Sequence, residues 1–288
     1  MLGRFGNNLF QYATARVLAE RHGVSVVMDG SWFDAKGWSQ ASCIQRLPIH
    51  AKVIRPVSLA SRVVRKVTGK HYWEFLKIPI YREAGDDQSY HAEVLQMPAD
   101  CLLMGYVQSS LYFRGIEDQL RKELSTDHLG WSETVCREAK RLCETPSVAV
   151  HVRRTDFTWL PFFAVCNAAY YQQAMNRMRA RVPGAVFSIF SDDPDWCQVH
   201  LSGPDQIVMR VPGSERDPLI DFHLMSQAQH HIIANSSYSW WAAWLGKKPG
   251  QIVLCPPKWF TGGVHAPIGE KLCEGWEICD GGCEISGT

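Results

Sequence analysis

Residues 148–157 read VAVHVRRTDF. An alternating apolar run leads into His151, two adjacent arginines and Asp156. Arginine stays ionised throughout the physiological range, so a folded chain gains nothing from the pair itself and an anion should sit beside it. Two guanidinium groups at the end of a strand can form a fork-shaped clamp for a phosphate or carboxylate. One arrangement has Asp156 orienting one arginine while the other meets the ligand. The alternative sends Arg153 and Arg154 to opposite faces, one paired with Asp156 and the other in solvent.

Three further stretches carry polar groups of the same kind. FSDDPDW (190–196) follows an apolar run, and acidic residues in that position often accept hydrogen bonds from a base or ribose. Asp193 and Asp195 also make a D-x-D spacing that could hold a divalent metal, while Asp193 before Pro194 equally fits a helix cap. ANSSYSWWAAWL (234–245) opens a helix with hydroxyls and backbone N–H groups suited to an anion. Its Trp240, Trp241 and Trp244 read as core packing rather than sugar stacking. GRFGNN (3–8) places Gly3 and Gly6 where backbone can approach a ligand, with Arg4 and Asn7 beside them.

The elements that must position these groups fall into two textures. From residue 147 onward, strands (SVAVHVR, AVFSIFSDD, QIVMRV, HIIAN, QIVLCP) alternate with helices (YYQQAMNRMRARV, DPLIDFHLMSQAQHH, SYSWWAAWLG). Ile220, Leu224, Ala228 and Ile232 extend the second helical pattern at spacings of four. Such alternation predicts a parallel sheet covered on both faces, with ligands at the carboxyl ends of its strands. Three of the polar stretches fall at such ends. The first half is less regular. NNLFQYATARVLAERHG reads as a helix with Leu9, Phe10, Ala13 and Val17 on one face and Gly23 ending it, then VSVVMD as a strand. The turn GRFGNN should follow a strand, yet only Met1 and Leu2 precede it. LLMGYVQS (102–109) reads as a strand, and two helical stretches follow it. Pro146 sets a domain boundary, giving residues 1–145 and 146–288.

The bulk numbers narrow the setting. A 288-residue chain with 46% hydrophobic and 20% charged residues and a net charge of +1 is an ordinary globular protein without the basic excess of a nucleic-acid binder. Neither a membrane-spanning run nor a secretory signal is read, which predicts a cytoplasmic location. The ten cysteines lack C-x-x-C pairing, and the loose group Cys273, Cys279 and Cys283 reads as free thiols rather than a zinc site. The basic run 62–73 reads as a solvated helix face, with peripheral contact to an anionic membrane as the other reading.

In their order along the chain, these stretches resemble the α-1,2-fucosyltransferase family. GRFGNNLFQYA matches its Gly-x-x-Gly-Asn-x-x-Phe-Gln-Tyr-Ala segment. GYVQSSLYF (105–113) matches another, with Val107 in place of an aromatic. HVRRTDF matches its His-x-Arg-Arg-x-Asp signature, with Thr155 where glycine is usual. YYQQA, FSDDPDW, HHIIANSSYSWWAAWL and PPKWF complete the match outside residues 30–100.

The resemblance implies an α/β, GT-B-like fold: two Rossmann-like domains facing across a cleft, the second holding GDP-fucose and the first admitting a galactose-type acceptor. It implies catalytic Arg153, Arg154 and Asp156, one arginine meeting the β-phosphate. Asn235, Ser236 and Ser237 would line the diphosphate or fucose, and Asp192 or Asp193 would read the guanine or ribose. His151, Ser191, Arg4, Gly6 and Asn7 complete the donor set, and Gln108 lies on the acceptor side. Transfer to the 2-hydroxyl with inversion, without metal or other cofactor, is the implied reaction. A galactose-containing oligosaccharide or lipid-linked glycan is the implied acceptor. A fucosyltransferase of another linkage or acceptor, and an inactive nucleotide-sugar- or glycan-binding protein, are the rival readings.

Overall fold

A periodic apolar face opens the chain. In a computed structural model that describes residues 1–30, 41–54, 75, 77–214 and 217–280, helix α1 spans Phe5–His22 and buries Leu9, Phe10 and Ala13. Gly23 ends it in the left-handed conformation (φ 64°) that a side chain would disfavour. The chain divides into two compact units, Met1–Ser125 and Thr126–Thr288.

In the first unit, strand β1 (Val26–Asp29) is followed by α2 (Ala41–Gln45) and by β2 (Ala51–Ile54), which pairs with β1 in parallel. A second parallel pair joins β3 (Ile80–Arg82) to β4 (Leu102–Met104), and α3 (Glu117–Glu123) closes the unit. The predicted strand over 102–109 is therefore three residues long, because the chain turns after Met104. No strand precedes Gly3 among the described residues. Leu2 is tied instead by its N–H to Gln11 Oε1 (2.9 Å), while its carbonyl accepts from Asn8 and Gln11. The buried Tyr12 donates to Glu123 at 2.5 Å and Arg16 pairs with the same carboxylate at 3.2 Å, joining α1 to α3.

The second unit is built on six parallel strands. Along the chain come α4 (Glu133–Glu144), β5 (Ser147–Val152), α5 (Thr155–Trp159), α6 (Ala168–Arg179), β6 (Val186–Ser191), α7 (Pro194–His200) and β7 (Gln206–Val208). Then follow α8 (Pro218–Gln227), β8 (His230–Ile232), α9 (Ser237–Leu245), β9 (Val253–Cys255), α10 (Ile268–Lys271) and β10 (Glu277–Ile278). Helix α4, placed in the first half by the Pro146 boundary, packs here against α8 and β5. The strand order is β10-β9-β8-β5-β6-β7, all neighbours parallel.

Every residue of β5 is buried, as expected for a central strand covered on both faces. Val148, Val150 and Val152 pack with Phe187 and Ile189 of β6 and with Tyr170, Tyr171 and Met175 of α6. Trp240 and Trp241 of α9 are fully buried, and the Trp240 indole donates to the Lys271 carbonyl at 2.5 Å. The chain enters at β5, runs to β7 on one side, then crosses back to β8 on the other. Strand order therefore reverses between β5 and β8, and ligands of doubly wound sheets bind beyond the carboxyl ends at that point. Residues 153–154 follow β5 there, and residues 233–237 follow β8.

Candidate active site

Beyond the end of β5 the two arginines leave in different company. Arg153 lies between two carboxylates, with Nη2 2.6 Å from Asp156 and Nη1 2.9 Å from Asp192. The Asp156 approach is an ion pair by distance but lies off hydrogen-bond geometry, so the buried Arg153 Nη2 lacks an aligned acceptor among the described residues. The Arg153 guanidinium also sits 5.8 Å from the centre of the Phe157 ring. Arg154 uses only its Nε on the protein, toward Asp193 at 3.0 Å, and lays its guanidinium 4.0 Å from the centre of the Trp196 ring. Its two terminal amino groups have no partner among the described residues. They are the donors best placed to meet an incoming anion. The pairing of Arg153 with Asp156 is compatible with the first arrangement, and the second does not describe the geometry, because Arg154 is held by Asp193 and Trp196 rather than left in solvent.

Asp192 is the hub. It accepts from the Arg154 N–H at 2.9 Å and from the Thr155 hydroxyl, besides pairing with Arg153. Burial alone would raise its pKa; Arg153 and these two hydrogen bonds outweigh burial and hold the carboxyl below the ordinary range. Asp193 caps α7 by accepting from the Trp196 N–H at 3.1 Å, while its own N–H donates to Ser191 Oγ at 3.0 Å. Asp193 thus serves as both cap and arginine partner. Asp195 lies outward, 2.6 Å from exposed Arg210, so the D-x-D pair does not converge. Among the described residues no three His, Cys, Asp or Glu side chains gather into a metal site.

His151, the fifth residue of β5, is buried with its ring centre 5.4 Å from that of Tyr238. Burial, and secondarily the Arg153 charge, push its pKa down to about 3, so the imidazole is neutral at physiological pH. Its Nδ1 is buried without a hydrogen-bond partner among the described residues.

The segment after β8 divides its tasks. Asn235 is buried and spends its amide on two backbone carbonyls, Phe163 at 3.1 Å and Trp259 at 2.9 Å. It is a staple between loops rather than an outward-facing group. Ser236 occupies the cap position of α9 without a capping bond, and both it and Ser237 are half-buried at that helix N-terminus.

The first unit gathers its own set. Arg4 is the cap residue of α1, its carbonyl accepting from the Asn7 N–H at 2.9 Å, and Gly6 lies buried in the first turn. Gly3 has φ 71°, and a Cβ there would come 2.1 Å from the Asn7 amide nitrogen. Gln108 donates to Asn7 Oδ1 at 2.7 Å. Glu83 holds this turn and was not singled out from sequence: its two oxygens accept from the Tyr106 N–H at 2.6 Å and the Val107 N–H at 3.0 Å. Trp196, at the end of FSDDPDW, is the surface beneath Arg154, a role its sequence position does not reveal. The basic run 62–73 and Cys283 lie outside the described residues.

With this geometry in place, comparison assigns the chain. Residues 1–276 match glycosyl transferase family 11. The chain belongs to that family. This family 11 glycosyltransferase is 26% identical to an α-1,2-colitosyltransferase of Escherichia coli over 90% of its own length and 91% of the relative's. It is 29% identical to the O-antigen biosynthesis glycosyltransferase WbnK of Escherichia coli, covering 90% and 93% respectively. It is 28% identical to galactoside α-(1,2)-fucosyltransferase 1 of Sus scrofa, over 84% of this chain but 63% of that protein. No helix among the described residues of the glycosyltransferase is long and apolar enough to cross a membrane.

Proposed function

We propose that the chain transfers fucose from GDP-fucose to the 2-hydroxyl of a galactose-type acceptor, by a single inverting displacement and without a metal ion. The observation that carries this reading is Arg154, held by Asp193 and Trp196 at the switch point with two amino groups unspent, in a family 11 chain. As fucose leaves, negative charge grows on the β-phosphate, and a preorganised cation there favours the transition state over the ground state. Arg153 adds its charge from between Asp156 and Asp192. Ser236 and Ser237 offer hydroxyl and N–H donors from the α9 terminus. On the resemblance of GRFGNN and GYVQSSLYF alone, Arg4, Gly6 and Asn7 belong to the donor set and Gln108 to the acceptor side. A lipid-linked glycan acceptor, with peripheral membrane contact through residues 62–73, belongs to the same proposal on sequence alone.

The test is fucose transfer from GDP-fucose to lactose and related β-galactosides with EDTA present, comparing wild type with Arg154→Ala. Transfer should survive EDTA, and the variant should lose on the order of 10²–10³ in kcat, the usual effect of removing one such donor. Activity that returns only with added magnesium or manganese would refute the metal-free reading. The relative named for colitosyl transfer favours a second donor, so a colitosyl nucleotide belongs in the same assay. Faster transfer from that donor would replace fucose with colitose in the proposal.

A further inference from the structure

Immediately after the arginine pair, the chain carries FTWLPFF (157–163), a run of aromatic residues that core formation does not absorb. Trp159 is 85% exposed, Leu160 44% and Phe162 37%. Single exposed apolar side chains are ordinary, but three in one short segment form a patch. The backbone beneath them is tied down. The Phe162 carbonyl accepts from the Thr261 N–H at 2.9 Å, the Pro161 carbonyl from the Thr261 hydroxyl at 3.2 Å, and the Phe163 carbonyl from Asn235.

The rings are layered as well as exposed. Phe157 and Phe163 stack at 4.6 Å and 12°, Phe162 lies 4.0 Å from Phe163, and the stack begins beside Arg153. An aromatic stack of Phe157, Phe163 and Phe162 therefore runs outward from the clamp, and Trp159 is exposed in the same segment.

We infer that Trp159 and Phe162 form a stacking subsite for a sugar ring of a neutral acceptor glycan. This rests on the transferase reading above: the attacking hydroxyl must arrive where the diphosphate is held, and this surface borders that place. An apolar C–H face of a pyranose fits an aromatic ring, and neighbouring carboxylates suit its hydroxyls. Charge argues against a bilayer as the occupant. Arg153 and Arg154 are outnumbered by Asp156, Asp192 and Asp193, whereas interfacial anchoring to anionic lipid favours surrounding cations.

The experiment uses the full chain with Trp159→Ala, Phe162→Ala and Trp159→Phe, and lactose and N-acetyllactosamine as probes in the presence of GDP. Saturation-transfer NMR would report glycan binding, calorimetry GDP affinity, and co-sedimentation with phosphatidylglycerol vesicles any lipid contact. The alanine variants should lose on the order of tenfold in glycan affinity and raise the acceptor KM alike, with GDP affinity unchanged and Trp159→Phe near wild type. Unchanged glycan binding in both alanine variants, or no glycan binding by wild type, would overturn the subsite. A fall in GDP affinity would reassign the surface to the donor base, and Trp159-dependent vesicle binding would reassign it to lipid. Wild type that binds glycan through Trp159 yet transfers no fucose would sink the transferase reading and leave the subsite standing.

Discussion

At Val107 the backbone φ is 43°, a conformation that β-branched side chains avoid at a cost of roughly 1–3 kcal/mol. Glu83 compensates by accepting from the Tyr106 and Val107 N–H groups, and the turn so formed aims Gln108 at Asn7. Gly105 makes room for it, since a Cβ there would lie 2.6 Å from Glu83 Cβ. Glu83→Gln should therefore leave one N–H without an acceptor and cost about 1–3 kcal/mol by urea denaturation. Exposed Glu93→Gln should stay within about 0.5 kcal/mol. Equal effects from the two would remove the clamp from the account. Glu83 was invisible in the sequence because its partners are 23 and 24 residues away. Only the parallel register that sets Arg82 against Met104 brings them together. The arginines and Asp192 stood out in the sequence because ionised groups clustered at strand ends have few structural uses, whereas His151, buried and neutral, entered only through the resemblance.

Asn235 shows the difference between finding an element and knowing what its residues do. Sequence located the turn between β8 and α9, but not that the amide would hold the loops at Phe163 and Trp259. Asn235→Ala should orphan both carbonyls and cost about 1–3 kcal/mol for each that stays dry. A variant with wild-type Tm and impaired donor binding would instead make Asn235 a ligand group. The predicted helix over 217–231 overran its end, while the strand predicted at HIIAN is present at His230–Ile232. Helix α8 stops at Gln227, and His230–Ile232 pairs with β5, where ladder bonds to a buried strand outweigh a further helical turn. Ile232, the last residue of β8, happens to continue the i+4 spacing. Gly246, just past α9, approaches α8 so closely that a Cβ would lie 2.6 Å from the Ser226 carbonyl oxygen. Gly246→Ala should force the helices apart, costing about 1–3 kcal/mol of stability as overpacking of a core does, and lower Tm. An unchanged Tm would mean that the two helices yield to the added methyl group without cost.

At the scale of the whole molecule, the buried histidines set the acid limit of stability. His231 is buried with Nε2 2.8 Å from the Met225 carbonyl, an atom that can only accept, so Nε2 carries the proton. Nδ1 then accepts from the Gln251 amide at 3.1 Å, and both ring nitrogens are satisfied in the neutral form. Burial pushes the His231 pKa down to about 3, as it does for His151. The unfolded chain takes up these protons near pH 6.5, whereas the folded chain refuses them until about pH 3. Stability should accordingly fall as pH drops through that window, each histidine contributing a slope of up to about 1.4 kcal/mol per pH unit. Asp192 acts in the same direction but later: its depressed pKa contributes stability above the ordinary carboxylate value, lost as pH falls through the folded one. Urea unfolding of wild type and His231→Gln between pH 8 and pH 4 separates the terms. Glutamine can still donate to Met225 but takes up no proton, so the variant's slope below about pH 6 should be shallower by about 1.4 kcal/mol per unit. Parallel curves would mean that His231 is protonated in the folded chain, and the neutral pairing with Met225 and Gln251 would have to be abandoned.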